Sequence, residues 1–327
     1  MGIKARRLLL VGVLLALASF TIFALSIGSV AVDSPWKLIA HPSIQGPGHE
    51  IIWGIRFPRI LAALLVGMAL GVAGALSQSA TNNPLADPSI IGTSAGASLG
   101  AAIAITLNIA SIGTFSVVVA ATIGALLASL ATFALSRSAL QLVIVGIATS
   151  ALLSAASGLI ISIADKPEAR SISFWSLGSL ALANMASVKL LTPIVISFSV
   201  IGWYYSQKMD LLVLGDREVR HLGKDPQRIR LIGFVVISIL ISVAVSTVGS
   251  IAFLALAAPH ITRYLIGPAN RPLMIGSAVI GAGLLLIADT AARSIAPPHE
   301  LPIGLITSLI GAPVLIFMLR KSSQVWR

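Results

Sequence analysis

The strongest constraint on this chain is a recurrence of apolar runs long enough to cross a bilayer. They occupy approximately residues 8–27, 60–80, 89–109, 114–136, 139–164, 190–207, 229–249, 258–267, 272–291 and 303–320. Lipid offers no water to backbone N–H and C=O groups, so each run is expected as a helix and not as a loop or open sheet. Only 10% of the 327 residues are Asp, Glu, Lys or Arg, whereas a soluble domain carries about 25%. Too few charges remain to cover a water-facing surface, and no polar connection is long enough to hold a soluble domain of its own. The expectation is one all-α membrane domain over residues 1–327, with about ten transmembrane helices in a multi-pass arrangement.

The N-terminal run Leu8–Ile27 is 20 residues long. The apolar core of a secretory signal measures about 7–15 residues and a bilayer span about 20, so a retained first helix is expected. With ten spans and both ends on one side, fifteen of the 22 Lys and Arg fall on the side of the N-terminus. The other side has seven: Lys37, Arg56, Arg59, Lys166, Arg170, Lys189 and Arg293. Basic residues concentrate in cytoplasmic loops, which makes the N-in, C-in orientation the expected one. The net charge of +11 is therefore read as membrane topology and not as nucleic-acid binding. Cysteine is absent, which excludes disulfides, thiol nucleophiles and cysteine metal sites. His260 and His299 lack a second histidine at helical spacing, and no metal site or cofactor is expected on this chain.

Small residues and prolines refine the picture. Gly67 and Gly71, and Gly92, Gly96 and Gly100, recur every four residues, the spacing that lets helix backbones approach closely in lipid. Pro259 falls inside the eighth run, where it removes a helical hydrogen bond. At a helix start it is harmless, so Ser250–Ala257 is expected to be partly irregular, with a short helix beginning near Pro259. Asp87-Pro88 has the form of an N-cap followed by a first helical residue. Asp289 and Arg293, four apart, are expected to form a local pair.

One stretch is unlike the rest. Gly215–Arg230 reads GDREVRHLGKDPQRIR and holds 8 of the 33 charged residues. It falls on the cytoplasmic side between the sixth and seventh spans, and one or two short helices are expected within Leu211–Gln227. The only Gly-Lys pair, Gly223-Lys224, is followed by Asp225, so the chain has no G-x-x-x-x-G-K-[ST] phosphate loop. No catalytic pair of residues is evident, and the chain is read as a non-enzyme.

Four motifs carry a family resemblance. Residues 56–101 read RFPRILAALLVGMALGVAGALSQSATNNPLADPSIIGTSAGASLGA, residues 214–230 LGDREVRHLGKDPQRIR, residues 252–267 AFLALAAPHITRYLIG, and residues 288–313 ADTAARSIAPPHELPIGLITSLIGAP. In this order and spacing they resemble the permeases of ABC importers for iron–siderophores, haem and vitamin B12. One departure lies at Gly249–Leu256, where Ser250 and Ala255 stand for a proline and a glycine that the family often has.

The resemblance implies the type II ABC importer permease architecture and residence in the cell membrane. It implies a second permease copy (identical or paralogous), two cytoplasmic ATPase subunits that bind ATP, and an extracytoplasmic substrate-binding protein. Residues 208–228 become the coupling segment, with Leu214, Gly215, Arg217, Glu218, Arg220, Leu222 and Gly223 touching the ATPase. Arg56, Arg59 and Arg293 become docking residues for the binding protein. Asn83, Leu85, Ala139, Leu140 and Gln141 become the inner gate of the pathway. The expected cargo is an iron chelate, either a ferric siderophore or haem. The alternative is an ion-gradient-driven secondary transporter. Proton-coupled transporters place acids within their spans, whereas Asp87, Asp165 and Asp289 lie at span ends.

Overall fold

The computed structural model describes residues 3–44, 46–111, 114–136, 139–297 and 299–322. The helices are α1 (Ile3–Ser26), α2 (Pro35–Ala40), α3 (Pro47–His49), α4 (Phe57–Ala80), α5 (Thr93–Thr106), α6 (Phe115–Ala134), α7 (Ala139–Ile163), α8 (Lys166–Ser176), α9 (Met185–Asp210), α10 (Asp216–His221), α11 (Pro226–Val248), α12 (Leu254–Ile266), α13 (Asn270–Ala292) and α14 (Ile303–Ser322). A π-helical segment, Glu50–Arg56, leads into α4, and 3-10 turns occupy Pro88–Ile91 and Leu211–Leu214. Among the described residues, six helical segments are long and apolar enough to span a membrane, and three shorter apolar helices accompany them.

Helix α4 is the centre of the bundle, packed against α9, α11, α12 and α13. Its closest neighbour is α13, and glycine is the reason. A methyl group on Gly71 would overlap the carbonyl oxygen of Ser277, and one on Gly67 would overlap that of Gly281. With no side chain in the way the two backbones come into direct contact, which in lipid replaces the missing hydrophobic drive with dispersion contact. The pair α5–α6 repeats the device with Gly96 and Gly100 against Gly124 and Ala120. Gly92 is not part of that stripe: at φ 85° it is the left-handed corner between the 3-10 turn and α5. Asp87 does cap as expected, accepting from the Ser89 N–H at 2.8 Å, but what it caps is the 3-10 turn.

The proline in α12 is accommodated differently from the expectation. The helix begins at Leu254, not near Pro259, and the irregular stretch is confined to residues 249–253. Pro259 leaves the carbonyl of Ala255 without its helical donor. That oxygen lies against Gly74, so closely that a methyl there would collide with it. Gln78 Nε2 reaches the next carbonyl, Leu256 O, at 3.4 Å. The proline is thus supported by a glycine and an amide of α4. The segments beside the irregular stretch are tied to one another and to the end of α11. Ser179 N donates to Val248 O at 2.8 Å, while Ile303 N and Gly304 N donate to Gly178 O and Leu177 O at 3.0 and 3.2 Å.

Helix α8 was not expected. It is amphipathic, with Ile172 and Trp175 buried and Phe174 exposed. Its polar sequence hid it from a search for apolar runs.

Burial is unequal between the long helices: 78% of the α4 span lies inside the protein against 11% of the α7 span. Leu140, Ile144, Ile147, Leu152 and Leu159 of α7 are all exposed.

If the α4–α13 contact holds the bundle, Gly71→Ala should destabilise it by about 1–3 kcal/mol through overpacking. The expected result is a lower melting temperature in detergent. Gly12→Ala, whose methyl would meet nothing within 4 Å, should leave it unchanged.

Candidate functional site

Helix α4 has 24 residues and is therefore about 36 Å long. Polar side chains collect at both of its ends, the two places where the apolar body of the protein is interrupted.

At the N-terminal end, Arg56, Arg59 and Arg293 are 4, 5 and 2% exposed, and Asp289 is fully buried. Arg59 donates through Nε to Asp289 Oδ1 at 2.9 Å and through Nη1 to both oxygens of Glu300 at 2.9 Å. Arg56 donates to Leu25 O at 2.9 Å, in the last turn of α1, and to Val30 O, beyond the end of that helix. Arg293 donates to Ala24 O at 2.8 Å, and its Nε stands 3.5 Å from Asp289 Oδ2. The expected local pair Asp289–Arg293 is thus present but secondary; the principal partner of Asp289 is Arg59, far away in sequence. All three expected docking arginines are buried and hold internal partners. Cations at α1's end also meet the negative pole of its dipole. The partly exposed member of the cluster is Glu300, whose side chain is 28% exposed.

At the C-terminal end, α4 closes on Asn82, which takes the left-handed conformation at φ 50°. Asn82 N donates to Ser79 O and Asn83 N to Gln78 O, the bonding of a Schellman cap. Asn83 Oδ1 then accepts from Leu85 N at 2.9 Å, folding the turn between Pro84 and Pro88. Asn83 and Leu85 are exposed on this turn, and the 3-10 turn after it packs on α7. At the start of α7, Leu140 is 71% exposed and Gln141 is exposed as well; the side chain of Ala139 lies outside the described residues. These gate candidates gather on one end of the bundle.

The charged stretch lies against this same end and forms a small hairpin. It contains two short helical pieces, as expected: the turn Leu211–Leu214 and α10. Gly215, at φ 92°, makes the corner between them. Gly223, at φ 70°, ends α10: Lys224 N bonds to Val219 O at 3.1 Å and Gly223 N to Arg220 O at 2.9 Å. Leu212 and Val219 are buried and anchor the hairpin, while Val213, Leu214 and Leu222 are exposed. Arg217, Glu218 and Arg220 are exposed beside them. The result is an apolar patch with basic neighbours, held by buried anchors. Val213 is a member of this patch that the sequence reading did not name, because nothing in the uniformly apolar run Leu211–Leu214 separates it from buried Leu212.

Sequence reasoning also missed a set of ties behind the hairpin. Arg230 Nη1 and Nη2 donate to Asp216 Oδ2 and Oδ1 at 2.9 and 2.7 Å, and Nε donates to Ala80 O at 3.2 Å. Asn82 Nδ2 donates to Leu212 O at 2.8 Å. Ser79 donates to Asn270 Oδ1, and Asn270 Nδ2 donates to Asp210 Oδ1 at 2.9 Å. Arg263 donates to Gln78 Oε1. The signal was present in the single polar letters at span ends, such as Gln78 and Asn270. The Arg230 hydrogen bonds hold the Asp216 carboxyl below its ordinary range, against a smaller opposing effect of burial. A depressed carboxylate pKa means that the bond's contribution is complete above the unfolded value and is lost as pH falls through the folded one. The pair is therefore intact through neutral and mildly acidic conditions.

The pattern of the FecCD transport family matches residues 8–321. The chain belongs to the FecCD transport family. Among FecCD relatives, the hemin transport system permease protein of Yersinia pestis is 36% identical over 97% of this chain and 95% of its own. The cobalamin import system permease protein of Halobacterium salinarum is 34% identical over 93% of this chain and 84% of its own. A solved structure, assigned to a metal-chelate type ABC transporter in an inward-facing conformation, superposes with a TM-score of 0.88 at 30% identity. It covers 96% of this chain and 99% of that one. This FecCD chain is accordingly a multi-pass ABC transporter permease, the non-catalytic membrane subunit.

The buried cluster gives a direct test. Arg59→Ala strands the Asp289 carboxylate without its main partner, a change that costs about 3–5 kcal/mol. Little folded protein should be recovered from membranes, as measured by size-exclusion chromatography. Glu300→Gln, at the partly exposed edge, should cost far less.

Proposed function

We propose that this chain is the membrane subunit of an ABC importer that takes up an iron chelate, a ferric siderophore or haem, from an extracytoplasmic binding protein. The similarity to a hemin permease and to a metal-chelate type transporter supports this cargo class. Ten spans with both ends in the cytoplasm fit the described helices when α1, α5, α12 and α14 are added to the six long ones. The hairpin then faces the cytoplasm and the Arg59 cluster the exterior.

The observation that carries the proposal is the hairpin itself. Exposed Val213, Leu214 and Leu222, flanked by Arg217 and Arg220, form a patch that water does not favour and that a groove on a soluble subunit would cover. The chain has no phosphate loop of its own, so ATP is bound and hydrolysed on two partner subunits seated there. A second permease copy covers the bare face of α7, and cargo passes between the two copies. Asn83, Leu85 and the start of α7 at Ala139–Gln141 gate that path on the cytoplasmic side. The binding protein docks on the opposite end, over Arg56, Arg59, Arg293 and the partly exposed Glu300. Since the arginines already hold internal partners, they act there by fixing the shape of the docking surface and by the net positive charge they bring to it.

Uptake by proteoliposomes containing the complete complex should require ATP and should survive ionophores that collapse ion gradients. Uptake driven by an ion gradient without ATP would favour the secondary-transporter alternative. Leu214→Asp with Arg217→Ala should release the ATPase subunits during purification and lower uptake about tenfold or more, as loss of an interface hot spot does. Unchanged assembly and uptake would remove the hairpin from the ATPase interface.

A further inference from the structure

The hairpin is joined to the membrane body by very few bonds. Helix α10 is bounded on both sides by glycines with positive φ, Gly215 and Gly223, so it is a short rigid piece between two corners. Among the described residues, the contact of His221 Nδ1 with Glu218 Oε2 at 3.6 Å is internal to α10 and is an ion pair only when the imidazole is protonated. The ion pair Asp216–Arg230 leaves the helix and reaches the first turns of α11.

The same guanidinium that grips Asp216 with its two terminal nitrogens donates its Nε to Ala80 O. Ala80 is the last residue of α4, and its carbonyl is one of the four that an α-helix leaves without an internal donor. Two residues further on, Asn82 ties the cap of α4 to Leu212 O in the hairpin. The residues that follow Asn82 are Asn83, Pro84 and Leu85, the gate turn. A displacement of α10 is therefore delivered to the end of α4 at the point where the gate turn begins, through the Arg230 guanidinium and, beside it, the Asn82 amide.

We propose that Arg230, with Asp216 and Asn82, is the positioning link that carries movement of the cytoplasmic hairpin to the Asn83–Leu85 gate turn. The inference rests on the reading of the hairpin as the seat of the ATPase subunits, and it adds residues that lie behind that seat. The chemistry required at position 230 is specific. Three acceptors are held at once by one planar fork, two of them on a single carboxylate. A lysine ammonium carries comparable charge but cannot reproduce the fork. The Asp216 side chain is 42% exposed, and ion pairs at such exposure add little to stability. Loss of the link should therefore impair transmission without unfolding the permease.

The test uses the complete complex with its own ATPase and binding-protein subunits, and compares wild type with Asp216→Asn, Arg230→Gln, Arg230→Lys and the double variant Asp216→Asn/Arg230→Gln. The expected result is normal assembly and ATP hydrolysis within about twofold of wild type, with cargo moved per ATP hydrolysed reduced about fivefold to tenfold. Arg230→Lys should fall with Arg230→Gln. The double variant should be no worse than either single one, because members of one link do not add. Cargo per ATP unchanged in the single variants would overturn the proposal, as would additive losses in the double variant or full function in Arg230→Lys. Dissociation of the ATPase subunits from Asp216→Asn would also overturn it, since the residue would then act in the seat and not behind it. The reading of the hairpin is judged separately: if Leu214→Asp with Arg217→Ala leaves assembly intact, it is the seat that fails. A variant recovered in low amount is scored by the same ratio, cargo per ATP, which is independent of yield.

Discussion

Direct backbone contact between α4 and α13 is the interaction on which the rest of the structure depends. In lipid, apolar side chains gain little by leaving the solvent, and helices adhere where their surfaces fit. Gly67 and Gly71 facing Ser277 and Gly281 provide that fit without intervening side chains. Because the two helices run in opposite directions, their contact also fixes what meets at each end: Arg59 with Asp289 at one, Ser79 with Asn270 at the other. Polar residues that would be costly alone are placed by the glycine seam into pairs.

The paired helices form a bar through the protein with a different kind of attachment at each end. The Arg59–Asp289 end is dry and charged, and it also ties down α1 through Arg56 and Arg293. Removing one member there exposes another to an environment that cannot solvate it. The opposite end combines buried side-chain ties, Ser79–Asn270 and Gln78–Arg263, with the partly exposed Arg230–Asp216 pair, whose bonds can be remade at smaller cost. The irregular entry to α12 follows the same logic on a smaller scale, since the carbonyl released by Pro259 rests on Gly74 of the same bar.

Much of this was legible from residue order, and the reasons for the failures are specific. Apolar runs located the long helices to within a few residues, because the requirement to satisfy the backbone in lipid leaves few alternatives. The hairpin stood out because charge is scarce elsewhere, and its two glycines marked its corners. Pro259 was misplaced because the rule against interior proline assumes that nothing outside the helix compensates. Here the compensation comes from Gly74 and Gln78, more than 170 residues earlier. The burial of Arg56, Arg59 and Arg293 was not legible, because a count of charges by side says nothing about depth. Arg59 and Asp289 are separated by 230 positions, and no local pattern links them. The single polar letters Gln78, Asn270 and Arg230 acquired meaning only once the ends of four helices were seen together.

The central claim is that α4 and α13 remain one body while the hairpin and the gate turn move against them. Hydrogen–deuterium exchange on the complete transporter, with and without a non-hydrolysable ATP analogue, tests it most directly. The account predicts that amides in the middle of α4 and α13 belong to the slowest class in both states, while residues 82–88 and 211–224 change. Nucleotide-dependent exchange in the centre of α4, or exchange there as fast as in α7, would contradict it.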